Sequence, residues 1–382
     1  MLMGVRARTP FRRLCVRPRA RARAESDVYA PPVAVAAVRT TSLCDTRPPC
    51  LALRAVAGLS KSSHKKKAEE WEFGGPIGAA AIMIVSHVLL YYVYYVINLN
   101  GGALFIPRSL ADVTPVVQQL VDTCAPSWRI AAIYVGFLAV EAVFAVVMPG
   151  LDLNGRADET GAVLKYRCNA YMSWWVTLAV LGALHYTGTF DFGEIASHVG
   201  SYMTVAIIFA DIASVWVYVY AFVAKLTHRM SGNHVYDFFM GGILHPRIGI
   251  LDIKMFAEIR MSWFLLFILT ASGAVYRHQQ DLMSNPNAEW NQSSLFMILA
   301  HFLYANACAK GEHYVPPTWD IFHEKFGWML CFWNFAGVPF LYCAQAMYIA
   351  KVNVQLSTEL ITVLTIALLA TYYVWDTAQG QK

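Results

Sequence analysis

The run MTVAIIFADIASVWVYVYAFVA, residues 203–224, carries one acidic or basic side chain, Asp211, in 22 residues. At about 1.5 Å per residue such a run crosses the ~30 Å hydrocarbon layer of a bilayer as an α-helix. Lipid offers the backbone no hydrogen bonds, so a spanning segment must satisfy its own amides, as a helix does. Similar apolar runs lie near 76–97, 130–148, 170–187, 262–276, 293–308, 327–349 and 357–375. The predicted fold is therefore all-α: a polytopic transmembrane helix bundle with about eight spans. The runs at 262–276 and 293–308 are short, so tilted, broken or protein-buried helices are expected there. Composition agrees, with 57% hydrophobic and only 14% charged residues, which sets the chain apart from a large soluble protein.

Charge is unevenly distributed. Residues 1–68 hold 15 Lys and Arg against 3 Asp and Glu, whereas the remainder holds 15 against 22. The basic arm has no 3.6-residue apolar stripe. It is read as a transit-like segment, a disordered tail or an upstream extension, separate from a membrane-embedded domain over 69–382. It lacks the interleaved aromatic residues of a nucleic-acid surface, so no nucleic-acid partner is expected. Lys65, Lys66 and Lys67 precede the first span and place that end on the cytosolic side. Cytosolic loops then hold ten cations, among them Arg156, Lys165, Arg229, Arg247 and Lys325, and opposite loops hold four, Arg108, Arg129, Arg277 and Lys351. The Asn291-Gln292-Ser293 sequon falls on the lumenal side, where a glycan can be attached.

Between two apolar runs, residues 228–263 form a polar, Gly- and Pro-punctuated stretch with Arg229, Asp237, Arg247, Asp252, Lys254, Glu258 and Arg260. A long loop in a compact protein is usually functional or disordered, and the interspersed Phe238, Phe239, Ile243 and Phe256 argue for burial. An amphipathic interfacial helix over 250–262 is the alternative. Glu141 and Asp211 lie inside spans, where a carboxylate is costly; each is either a functional group facing the interior or a hydrogen-bonded structural carboxyl. His87 and His185 read as packed histidines.

A second polar concentration, residues 299–343, holds His301, Asn306, Lys310, Glu312, His313, Asp320, His323, Glu324 and Asn334 among aromatic residues. Gly337 and Pro339 are expected to loosen the helix at mid-span, which is tolerated where backbone lines a cavity. A mostly apolar pocket with few polar groups suits a rigid, oily ligand with one polar end. Asp320, His323 and Glu324 have no matching second set, so no metal site is expected. The eight cysteines show no CxxC or Cys/His ligand spacing.

Several stretches resemble the sterol reductases that saturate a carbon–carbon double bond with NADPH in the endoplasmic reticulum membrane. They include Glu72-Phe73-Gly74-Gly75, the run from Gly232 to Gly241, Pro246-Arg247 and the run from Leu251 to Phe256. Further matches run from Tyr304 to Glu312, from Pro317 to Asp320, from Glu324 to Gly327 and from Ala336 to Pro339, and include Asp376-Thr377-Ala378. The resemblance covers about 70–382 and is closest to the delta-24(28) reductases of ergosterol synthesis. Delta-14 and delta-7 reductases share the first block more loosely, and the run at 304–312 points away from them.

The resemblance implies a multi-pass protein of about ten spans, with a sterol pocket among the later helices and an NADPH pocket facing the cytosol. It implies that Lys382 meets the cofactor phosphates, and that the sequence lacks a following Arg and a further C-terminal block. Two expectations follow: an incomplete sequence of an active enzyme, or a shortened sterol-binding relative without catalysis. Sterol and membrane lipid are the implied partners, with room for other sterol-pathway enzymes. Reduction of an alkene adds a hydride to one carbon and a proton to the other. Glu312 and Asp320 are the candidate acids, and polarity at membrane depth marks His301, Tyr304, Asn306, Trp319 and Asn334 as candidate substrate contacts.

Overall fold

The computed structural model describes residues 71–159 and 161–381; the basic arm of 1–68 and Lys382 lie outside them. The described chain is a helix bundle. Its long helices are α1 (Gly75–Tyr94, extended by a π-helical turn Tyr95–Leu99), α2 (Leu110–Cys124), α3 (Trp128–Val147) and α4 (Ala170–Tyr186). After a short α5 (Gly193–Ser197) come α6 (Val199–Val223), α7 (His234–Met240) and α8 (Ile253–Ser284). The last three are α9 (Gln292–Lys310), α10 (Trp328–Val352) and α11 (Thr358–Gly380). Six helices are long and apolar enough to cross a membrane: Glu72–Leu99, α3, α6, α8, α10 and α11. The two other expected spans are the helices α4 and α9.

Helix α3 shows why this is a membrane architecture. Ile130, Tyr134, Leu138, Glu141 and Ala145 recur at helical spacing and are buried, while Val135, Val140, Val143 and Val147 on the other faces are 47–66% exposed. In a water-soluble bundle the outer face would be polar; here it is as apolar as the inner one.

Polar side chains fix the helix ends. Ser127 accepts from the Ile130 amide at 3.3 Å, and Ser357 from Leu360 at 3.3 Å. Asn291 caps α9 through Ser294 at 3.0 Å and donates to Asn353 and Val354 at 3.1 Å each. Asn291 is only 6% exposed, so the sequon that looked open to glycosylation is a buried helix cap.

The stretch expected to be a polar loop over 228–263 turns out to be shorter. Asp252 accepts from Met255 at 3.0 Å and starts a helix at Ile253 that runs 32 residues to Ser284. Lys254, Met255, Ile259 and Arg260 in this segment are buried, which excludes the interfacial alternative. Its charges have protein partners instead of solvent, and hydropathy alone does not register that.

Two antiparallel hairpins cover the end of the bundle assigned to the cytosol: β1 (Leu151–Asn154) with β2 (Lys165–Cys168), and β3 (Arg247–Ile248) with β4 (Leu251–Asp252). Arg247 joins them, donating to Asp252 at 3.0 Å and to the Lys165 carbonyl at 2.9 Å.

Candidate functional site

The polar end of the bundle is built around cations that have left water. Lys254 is fully buried and donates to the carbonyls of Leu244 at 3.1 Å, Ile321 at 2.8 Å and Glu324 at 2.6 Å. It saturates its three protons on backbone and pins 243–247 to 321–324. Between these loops, Gly241 (φ +105°) and Gly327 touch backbone to backbone: a Cβ on Gly327 would lie 2.2 Å from the Gly241 nitrogen. Glycine is the residue this approach requires. Upstream, Asp237 is buried and accepts from the Ser231 and Gly232 amides at 2.9 and 3.1 Å.

A second assembly holds Glu312. Its carboxylate accepts from the Ala170 amide at 2.6 Å, at the N-terminus of α4, and lies 3.5 Å from the Arg260 guanidinium. Arg260 also donates to Asn169, whose amide nitrogen donates to the Phe144, Ala145 and Met148 carbonyls ending α3. Burial raises the pKa of the Glu312 carboxyl, while Arg260 and the backbone amides pull the other way.

Where α8 faces α10, both helices widen into π-helical stretches, Ala257–Phe264 and Trp333–Gly337. The second lies just before Val338-Pro339, because Pro339 cannot donate its share of the ladder. This is the mid-span loosening expected from Gly337 and Pro339. Ser262 donates to the Asn334 side-chain oxygen at 2.9 Å across the gap. The Asn334 amide nitrogen finds no partner among the described residues. Such π stretches often mark functional positions.

The other candidates are dispersed. His301 uses both ring nitrogens between helices, toward Thr270 at 2.6 Å and Gln345 at 3.1 Å. Tyr304 is 45% exposed and stands edge-on to Trp263. Asn306 is half-buried with its side-chain oxygen unpartnered among the described residues. Trp319 and Asp320 are exposed at the polar end, where Trp319 donates to Glu324 at 2.5 Å. Asp320 lies within electrostatic reach of Lys254 and Glu258. Sequence reading placed Glu258 in the polar stretch but gave it no role, since nothing local shows that a residue 62 positions later comes beside it. Of the mid-span carboxylates, Glu141 accepts from Thr177, and Asp211 accepts from the Trp328 indole at 2.8 Å.

A polar cavity of about 190 Å3 lies between Trp71, Glu72, Arg229, Tyr236, His323 and Lys325. Beside it Glu159 meets the His323 ring at 2.8 Å, the His228 ring at 3.2 Å and the Arg229 guanidinium at 3.5 Å. Lys325 donates to the Arg229 carbonyl at 2.9 Å. The space is below the ~300–1,000 Å3 of a site for a drug-sized ligand, and Arg229 and Lys325 already have protein partners. This cavity is therefore too small for a dinucleotide.

Spanning helices with apolar outer faces, and buried carboxylates, amides and cations gathered at one end, define a polytopic helical membrane protein. The chain belongs to the ergosterol biosynthesis ERG4/ERG24 family, whose profile matches residues 67–382. It is 39% identical to the Delta(24(24(1)))-sterol reductase erg4A of Aspergillus fumigatus over 85% of this chain and 70% of the relative. It is 39% identical to the Delta(24(24(1)))-sterol reductase of Gibberella zeae over 82% of this chain and 53% of the relative. The Delta(14)-sterol reductase of Dictyostelium discoideum is 31% identical over 73% of this chain and 61% of the relative. These relatives are named as reductases, oxidoreductases of carbon–carbon bonds, and the chain spans about half the length of the second.

Proposed function

We propose that the protein reduces the side-chain double bond at C24 of an ergosterol-type sterol, written 24(28) or 24(24(1)), in the endoplasmic reticulum membrane. The observation that carries this reading is the gap in identity: 39% to two relatives named for that bond, against 31% to a relative named for the ring bond at C14. NADPH is the proposed reductant, with Lys382 on its phosphates as the resemblance implies. Glu312 and Asp320 are the proposed acids. Burial raises the pKa of Glu312 against the pull of Arg260, and Asp320 stands exposed to solvent. His301, Tyr304, Asn306, Trp319 and Asn334 are the proposed sterol contacts; the Asn306 side-chain oxygen and the Asn334 side-chain nitrogen, each without a partner among the described residues, support polar ligand contacts at these positions.

The engaged cations around the 190 Å3 cavity favour a second reading, a sterol-binding protein without catalysis. Microsomes carrying the chain, given NADPH and either a 24(28)-ene or a 14-ene sterol, separate the two. NADPH oxidation matched mole for mole by loss of the 24(28)-ene supports the first reading. Sterol binding without oxidation supports the second, and preferential loss of the 14-ene overturns the assignment of the bond.

A further inference from the structure

Glu258, in the first turns of α8, is a carboxylate that the fold leaves without a hydrogen-bond donor. It is only partly exposed, and among the described residues no side chain or amide donates to it. Lys254, one turn before it, cannot do so, because its three protons go to the carbonyls of Leu244, Ile321 and Glu324. Arg260, two residues on, turns to Asn169 and Glu312 instead. Drawing a carboxylate out of water without donors is costly, and Glu258, unlike Asp252 or Glu312, ties no segments together.

Its neighbours lie on either side along the helix. Toward the cytosolic end, Lys254 bonds the Ile321 carbonyl, and Asp320, the residue before it, is exposed and within electrostatic reach of Glu258. Toward the membrane interior, Ser262 follows four residues on, about one turn away, within the π-helical stretch Ala257–Phe264. Ser262 donates to the Asn334 side-chain oxygen at 2.9 Å. The Asn334 amide nitrogen has no partner among the described residues, although the residue is only 7% exposed. The π turns of α10 lie beside Pro339, whereas Ala257–Phe264 contains neither proline nor glycine that would widen it. Solvent-facing Asp320, inner Glu258 and the Ser262–Asn334 contact thus follow one another from the cytosolic surface to a proposed sterol contact.

We propose that Glu258 is the inner carboxyl of a two-carboxyl proton relay, in which Asp320 takes a proton from solvent and Glu258 carries it inward by way of the Ser262 hydroxyl. This rests on the reductase reading, in which one alkene carbon gains a hydride from the nicotinamide and the other a proton. Glu258 releases its proton inward and takes the next from Asp320, Ser262 gains one proton as it passes on another, and water reprotonates Asp320, so all three groups end each turnover as they began.

The test compares the full chain in microsomes, given NADPH and a 24(28)-ene sterol, with Glu258→Gln, Glu258→Asp, Asp320→Asn and the Glu258→Gln/Asp320→Asn double variant. Glu258→Gln should lower kcat about 10²–10⁴-fold with the sterol KM unchanged, and Glu258→Asp should recover part of the rate. Because the two carboxyls act in series, the double variant should be no slower than the slower single one. If Glu258→Gln fails to fold, Glu258→Asp decides: a shortened relay raises the solvent deuterium isotope effect on kcat, and an unchanged effect overturns the proposal. A parental kcat in Glu258→Gln, or single losses that multiply in the double variant, overturns the relay and leaves the reductase reading standing. A parent chain that reduces no sterol overturns both.

Discussion

Arg260 and Glu312 face each other at 3.5 Å with side chains 2% and 5% exposed, joining the first turns of α8 to the turn after α9. Through Asn169 and the Ala170 amide the same pair holds the end of α3 and the start of α4. Four chain segments thus converge on one buried ion pair.

Removing one member leaves the other charged and buried, at a cost of about 3–5 kcal/mol. Glu312→Ala is expected to lower the unfolding temperature in detergent strongly at pH 7.5. Arg260→Met combined with Glu312→Leu should recover most of the loss. A Glu312→Ala protein as stable as the parent would show that the pair is not a clamp.

The same carboxyl gives stability a pH dependence. Because burial outweighs its partners, the folded pKa of Glu312 lies above the unfolded one. The folded chain holds that proton more tightly, so the contribution is complete below the ordinary glutamate range, about 4.3, and declines as pH rises through the folded value. Unfolding temperatures of Glu312→Gln measured from pH 4 upward, a start set by that range, should show a flatter profile than those of the parent.

Lys254 satisfies three carbonyls in two loops. Lys254→Met keeps the stem and strands those carbonyls, each worth about 1–3 kcal/mol where buried. Amide exchange should accelerate over 244–247 and 321–324 before the rest of the bundle. Uniform exchange across the chain would contradict the pinning role.

Asp320→Asn and Asn306→Ala test the proposed chemistry. Loss of a general acid costs roughly 10²–10⁴ in rate, and Asp320 is exposed, so Asp320→Asn should slow sterol turnover while leaving the unfolding temperature unchanged. Asn306→Ala should raise the sterol KM more than it lowers kcat. Parental rates with lowered stability would assign both residues to helix packing.

The bundle was legible because an apolar run of some 20 residues has one low-energy solution in lipid. Helix α8 was less so: Lys254, Glu258 and Arg260 depress its hydropathy, and only tertiary partners such as Asn169 and the Ile321 carbonyl make those charges affordable inside a helix. The loosening at Trp333–Gly337 was readable, since Pro339 acts locally. In the 228–263 stretch, which was expected to be functional, Asp252, Lys254 and Arg260 hold segments together. What 299–343 hid was direction: Glu312 turns inward to α4, whereas Asp320, eight residues later, faces out. The amphipathic α2 left no signal as a span, because 15 residues with two acids are too short and too polar to cross a bilayer.

The central claim is the bond reduced, and sterol analysis in a yeast strain unable to reduce the 24(28) bond tests it most directly. Expression of the chain is expected to convert accumulated 24(28)-ene sterols to their saturated side-chain products by gas chromatography and mass spectrometry. An unchanged 24(28)-ene profile in cells that contain the folded protein, or saturation only at C14, would contradict the account.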